Sequence, residues 1–240
     1  MKKTTLQLGP LQCHLFGNPA SAKRAVVLCH GFGAPGDDLA YFGGFLAEIF
    51  ANHPEEVLFV FPEAPLSLAH LGYGEGRAWW ELNMARLQQL VSTQNWAELC
   101  EVTPPGMTEA RELLATTIRE LQAMCVLGPE QIILGGFSQG AMITSDLALH
   151  SPTTFGGLIQ FSGMLINAPA WRTEAPRHKG MSVFQSHGTA DPVLPFQTAE
   201  LLRDALTEAG LEVEYHAFSG GHTIDQNVFQ QMVEYLKKVL

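Results

Sequence analysis

The chain has 240 residues, enough for one large domain with a continuous core, and its 46% apolar against 16% charged content excludes a disordered or low-complexity polymer. Fourteen Lys and Arg against 24 Asp and Glu leave a formal charge of −10, which repels phosphate backbones and anionic lipid, so no nucleic-acid partner is expected. Cys13, Cys29, Cys100 and Cys125 lie apart without CxxC spacing, and no stretch reaches the ~18 apolar residues of a spanning helix. Neither a zinc centre, a disulfide framework nor integral membrane association is therefore expected, and the default expectation is a soluble cytoplasmic protein.

In chain order, Leu11–Phe16 reads as a strand and Ala25–Cys29 as another, the latter apolar on both faces. The Gly-rich stretch His30 to Gly36 follows, then a helical pattern over Asp38–Ala51 and a strand at Val57–Phe61. Trp80 to Pro105 breaks the alternation: Arg86 to Leu90 and Trp96 to Cys100 read as one or two short helices inserted at the sheet's carboxyl edge, around residues 81–105. Such an insertion is either a pocket wall or lid, or a helical excursion without contact to substrate. Beyond it come a helix at Thr108–Val126, a strand at Gln131–Leu134, a helix at Ala141–His150 and strands at Gly157–Phe161 and Ser182–Gln185. The chain closes with a helix at Phe196–Ala209, a strand at Val213–Ala217 and a helix at Thr223–Leu240. Strand and helix alternate, which predicts a single α/β domain over residues 1–240, with a mostly parallel sheet between helices and the first strand or two antiparallel at an edge.

The strand at Gln131–Leu134 runs into Gly136-Phe137-Ser138-Gln139-Gly140 and then into a helix. A serine on so sharp a strand-to-helix turn presents its hydroxyl at the sheet edge, and flanking glycines remove the side chains that would collide there. A serine hydroxyl needs a histidine to take its proton and an acid to orient that histidine. Asp191 lies on the loop leaving the strand at Ser182–Gln185, and His222 on the loop after Val213–Ala217. All three side chains fall at carboxyl ends of strands, where open α/β sheets build their sites, in the order Ser, Asp, His. The backbone N–H groups of Gln139 and of Phe32, in the small-residue loop after Ala25–Cys29, are the candidate donors to an oxyanion. That loop lacks GxGxxG spacing and a GK[ST] ending, which argues against a phosphate cradle. Cys29 and His30 are adjacent on a strand and face opposite ways, so they cannot form a nucleophile–base pair. No HExxH occurs, and no metal or other cofactor is expected.

His30-Gly31-Phe32-Gly33, Phe61-Pro62-Glu63-Ala64-Pro65, Arg77-Ala78-Trp79-Trp80-Glu81, the pentapeptide around Ser138, His187 to Pro195 and Gly221-His222-Thr223-Ile224 resemble, in order, motifs of the phospholipase/carboxylesterase family. That family holds acyl-protein thioesterases and lysophospholipases. The resemblance implies an α/β-hydrolase fold, Ser138, Asp191 and His222 as a catalytic triad, and the Phe32 and Gln139 amides as the oxyanion hole. It further implies an acyl pocket lined by Trp79, by the apolar loop Leu66–Leu71 with Leu71 at its end, and by Val193 and Leu194; the alternative for each is ordinary core packing. Trp80-Glu81 stands where the family usually has Tyr-Asp or Phe-Asp, and the helical excursion is longer than the family's, which bears on substrate size.

The expected activity is hydrolysis of carboxylic esters or thioesters with an apolar acyl part, on a small-molecule or lipid-like ester or an acylated protein, by a monomer or homodimer. An acyltransferase or amidase on the same fold, a dienelactone-type hydrolase, and a non-catalytic binding module remain alternatives. A cysteine rather than Ser138 would be expected for the dienelactone type, and a binding module has no need of all three polar side chains.

Overall fold

Apolar residues that alternate between two faces assemble one eight-stranded sheet in the computed structural model, which describes residues 3–53 and 56–240. Its strands are β1 (Lys3–Leu8), β2 (Leu11–Phe16), β3 (Arg24–Cys29), β4 (Val57–Pro62), β7 (Ile132–Phe137), β8 (Gly157–Phe161), β9 (Ser182–Gly188) and β10 (Glu212–Phe218), while β5 (Leu66–Ser67) and β6 (Arg77–Ala78) form a small separate hairpin. The spatial order is β1-β2-β4-β3-β7-β8-β9-β10. The β1–β2 and β2–β4 pairs are antiparallel and every later pair is parallel, in keeping with the doubly apolar central runs.

The helices are α1 (Gly43–Ile49), α2 (Met84–Ser92), α3 (Trp96–Glu101), α4 (Met107–Cys125), α5 (Gln139–His150), α6 (Ala168–Glu174), α7 (Phe196–Glu208) and α8 (Gln226–Val239). In β3, Ala25, Val27 and Cys29 pack into the core beneath α4, α5 and α7, whereas Val26 and Leu28 pack into the opposite core beneath α1 and α8. The same division puts Leu58 and Val60 of β4 on one side and Phe59 and Phe61 on the other. On α4, Met107, Ala110, Leu114, Ile118, Leu121 and Cys125 recur every three or four residues and form one buried stripe. Helix α5 is buried on all sides from Gln139 to Leu149, so it sits rigidly at the centre of its layer. No helix among the described residues is long and apolar enough to cross a membrane.

Some elements differ from expectation. The helix expected over Asp38–Ala51 is a 3-10 turn at Asp38–Phe42 followed by α1, and the junction presses Gly43 against the Phe16 ring, where a β-carbon would come within 2.2 Å. The last helix begins at Gln226 rather than Thr223, because the Asp225 carboxylate accepts from the Asn227 and Val228 N–H groups and caps it there. Strand β1 and helix α6 lie outside the expected elements: β1 is a largely exposed edge strand with a polar sequence, and Pro169 of α6 stands in the first turn, where proline is tolerated. The insertion yields two helices, α2 and α3, capped by Asn83 and Asn95. All four cysteines are unpaired and buried. Burial pushes the Cys13 thiol up to about 12 and Cys100 up to about 11.

Candidate active site

Ser138 links β7 to α5 with φ 55° and ψ −118°, a conformation an L-residue holds only under constraint from its surroundings. The constraint is close approach to β3. A β-carbon on Gly136 would lie 2.3 Å from the Cys29 carbonyl oxygen, and one on Gly140 would lie 1.9 Å from the same atom. Both glycines of the pentapeptide are therefore required by contact with a neighbouring strand as well as by the bend itself.

The turn brings the Ser138 hydroxyl to the loops after β9 and β10. Its O–H donates to His222 Nε2 at 2.9 Å, and His222 Nδ1–H donates to Asp191 Oδ2 at 2.7 Å. A carboxylate only accepts, so its contact with Nδ1 fixes the tautomer that leaves Nε2 free to accept from serine. Asp191 Oδ1 accepts from the Val193 and Leu194 N–H groups at 2.8 and 2.9 Å. His187, fully buried beside it, donates from Nε2 to the Leu194 carbonyl at 2.9 Å and lies 3.3 Å from Asp191 Oδ2. Burial alone would raise the Asp191 carboxyl, but hydrogen bonds from His187 and His222, the His222 charge and the Leu194 N–H outweigh it and hold the group well below the usual carboxylate range. Asp191 is thus a preorganised anion, and sequence reasoning missed His187, whose place in the same motif was the available signal.

The loop carrying Phe32 lies against the turn: a β-carbon on Gly31 would be 3.4 Å from the Ser138 β-carbon. Several bonds hold that loop. His30 donates from Nδ1 to the Gly31 carbonyl at 2.9 Å and accepts the Ala64 N–H at Nε2 at 3.0 Å, while Gly33 N–H donates to the Arg77 carbonyl at 2.9 Å. Burial pushes the His30 imidazole below its ordinary value, partly offset by the Gly31 bond, which keeps the ring neutral for both contacts. The Gln139 side chain binds the next segment, accepting from Trp79 N–H at 2.9 Å and donating to the Trp80 carbonyl at 2.8 Å. The N-terminus of α5 points its unpaired N–H groups and positive dipole end toward the serine. Cys29 is buried, with its thiol pushed well above its ordinary value, as fits a packing residue.

Beside Ser138 and His222 opens a cavity of about 340 Å³ whose lining, among the described residues, has no Asp, Glu, Lys or Arg. The insertion contributes Leu82, Met84, Leu87 and Leu99 to the lining, which also includes Met142, Met164, Ile166, Phe32, Tyr73 and Trp80. Val193 and Leu194 line it too. Trp79 and Leu71 do not, which corrects the expected pocket. The Trp79 indole is buried and turned back to donate to the His30 carbonyl at 3.0 Å, leaving its neighbour Trp80 to face the cavity, and Leu71 is 50% exposed on the loop between β5 and β6. Across Met84, Leu87 and Val193 lies a second recess of about 190 Å³, bounded further by Gln88, Val91, Ser92 and Pro192. Among the described residues no cluster of three His, Cys, Asp or Glu side chains is placed to hold a metal ion.

A model of the phospholipase/carboxylesterase family matches residues 17–240. Acyl-protein thioesterase 1 of Eremothecium gossypii is 30% identical over 226 residues, covering 90% of this chain and 88% of that protein. The protein of the same name from Mycosarcoma maydis is 27% identical over 235 residues, covering 93% and 95%. Among solved structures, esterase PE8 superposes with a TM-score of 0.78 at 27% identity and complete coverage of both chains. A carboxylesterase from Mesorhizobium loti, at 17% identity and a TM-score of 0.75 over 98% of this chain and 99% of its own, shares the fold.

Proposed function

The chain belongs to the phospholipase/carboxylesterase family of ester and thioester hydrolases, and from this premise we propose that it cleaves esters of apolar carboxylic acids through a Ser138 acyl-enzyme. The observation that carries the reading is the unbroken hydrogen-bonded line from Ser138 through His222 to Asp191 at the rim of an apolar cavity.

The acyl chain enters that cavity and its carbonyl carbon meets Ser138 Oγ. As the C–O bond forms, His222 Nε2 takes the hydroxyl proton, and the carbonyl π electrons move onto an oxygen received by the Phe32 and Gln139 N–H groups. Each such donor is worth ~10²–10³ in rate. The intermediate collapses, His222 hands its proton to the departing alcohol or thiol, and an acyl-serine ester remains. Water then attacks with His222 again as base, and collapse releases the acid and the serine hydroxyl. Asp191 does not take the proton; it orients the imidazole and stabilises its cationic form.

The name acyl-protein thioesterase given to the relatives supports an acylated protein as one substrate, and the uncharged cavity supports lipid-like acyl groups in general. Four free thiols are consistent with the reducing cytoplasm. The test is a fluorophosphonate probe with the purified protein. It should label wild type and leave Ser138→Ala unlabelled; equal labelling of the two, or none of wild type, refutes the acyl-serine mechanism.

A further inference from the structure

His222 borders two recesses. One is the apolar cavity with Ser138, and the other is an open cleft of about 330 Å³ reached across the His222 ring, walled by Tyr41, Phe42, Phe137 and Ile224 with Asp38 at its side. The Phe137 ring centroid lies 4.8 Å from that of His222, and Phe42 is held by stacking on Phe229 at 4.5 Å. Tyr41 is 86% exposed, a large aromatic surface next to a reactive centre.

Resting on the acyl-serine reading, we infer that this cleft receives the leaving group of the substrate and favours neutral or cationic alcohols and thiols over anionic ones. A tetrahedral carbon on Ser138 Oγ carries three other substituents. Its oxyanion faces the Phe32 and Gln139 amides, and its acyl chain fills the apolar cavity. The leaving atom must stand within reach of His222 Nε2, because that nitrogen returns the proton to it. The departing group therefore begins at the imidazole and runs along it, and the cleft is the recess that continues from there.

Its lining sets the class. The aromatic walls suit an aryl or otherwise apolar body, and their π-faces attract a cation. Asp38 is exposed and, among the described residues, is the one carboxylate in the lining, which holds no Lys or Arg. The nearby Lys3 already pairs with Asp37 at 3.0 Å, so it offers no uncompensated positive charge. The formal charge of −10 adds a repulsive field for an anion approaching from solvent. A thiol or alcohol bearing phosphates meets nothing here that would neutralise it.

The experiment uses one acyl group on three phenols: unsubstituted, meta-trimethylammonium and meta-sulfonate, each kcat/KM divided by the rate of hydroxide hydrolysis to remove differences in leaving-group acidity. One unit charge at ~6 Å from Asp38 in water changes the rate about threefold in each direction. The cationic ester should lead the anionic one by about tenfold at low salt. The gap should narrow in ~1 M NaCl, where the screening length is ~3 Å, and it should shrink in Asp38→Asn. Tyr41→Ala should slow the phenyl ester about two- to tenfold relative to the methyl ester of the same acid, while leaving the dependence on acyl length unchanged. A sulfonate ester that keeps pace with the cationic one, or a Tyr41→Ala variant whose acyl-length profile moves instead, overturns the assignment. Failure of the acyl-serine reading looks different: activity on all three esters would survive Ser138→Ala.

Discussion

The two sides of the cavity are built on different terms. On one side, Ser138, the Phe32 loop and Asp191 hang from parallel strands and from a helix buried on every face, and hydrogen bonds tie together residues distant in sequence: Ser138 to His222, Ala64 to His30, and Gln139 to Trp79 and Trp80. On the other, α2 and α3 rest on their own caps, on the Arg86–Glu98 ion pair between them and on a tie at the far end, where Thr103 Oγ1 donates to Asn167 Oδ1 at 2.8 Å. Asn167 in turn reaches the buried Asp146 carboxylate, which also takes the Trp171 indole N–H at 2.7 Å and Arg111 at 3.1 Å. The triad geometry thus rests on the sheet, whereas part of the cavity wall comes from a segment with few long-range hydrogen bonds. Changes on the first side should alter rate and fold, and changes on the second should alter which substrate fits.

The largest effect tests the rigid side. Asp191→Asn should lower kcat by ~10⁴-fold with little change in KM, because an amide favours the wrong imidazole tautomer; steady-state kinetics on an aryl ester measure it. The same residue contributes to stability in acid. Its folded-state pKa lies below the unfolded value of ~3.9, so the ionised carboxylate stabilises the fold above about pH 4 and that contribution is lost as pH falls below this toward the folded value. Thermal midpoints of wild type should drop more steeply below about pH 4 than those of Asp191→Asn.

Next is Gly140→Ala, whose new methyl would meet the Cys29 carbonyl at 1.9 Å and force β3 and α5 apart. A loss of about 3 kcal/mol or more is expected in urea unfolding. A near-neutral value would mean that the contact is softer than its geometry.

On the wall side, Leu87→Ala should join the 340 Å³ cavity to the 190 Å³ recess, since Leu87 lines both. The preferred acyl length in a p-nitrophenyl ester series should move to longer chains, with each further buried methylene worth ~0.8 kcal/mol, about fourfold in kcat/KM. An unchanged length optimum would show that the partition lies elsewhere. The smallest effect is Arg86→Ala: the lost pair is solvent-exposed and should cost at most about 1 kcal/mol, with kcat on a short ester unchanged.

The contrast also explains what was legible in the sequence. Ser138, Asp191 and His222 each follow a strand, and a strand end fixes where a side chain emerges, so their meeting could be anticipated from order alone. The parallel sheet was legible for the same reason, through runs such as Ile132 to Leu134 that are apolar on both faces. Strand β1 escaped because Lys3 to Gln7 lie largely open at an edge and carry no apolar alternation. The cavity wall was legible only in part: of two adjacent tryptophans, the one that faces the cavity depends on the Gln139 bonds to both, a contact across 60 and 59 residues. Leu87 and Leu99 belong to short helices whose docking no local pattern encodes.

The four native thiols, all buried and three of them at most 3% exposed, give the molecule a practical property. Protonated and enclosed, they should be silent toward maleimides at neutral pH. A cysteine introduced at the exposed Gln88 on α2 would then be the one site to accept a fluorophore, and its emission would follow the insertion as acyl chains of increasing length arrive.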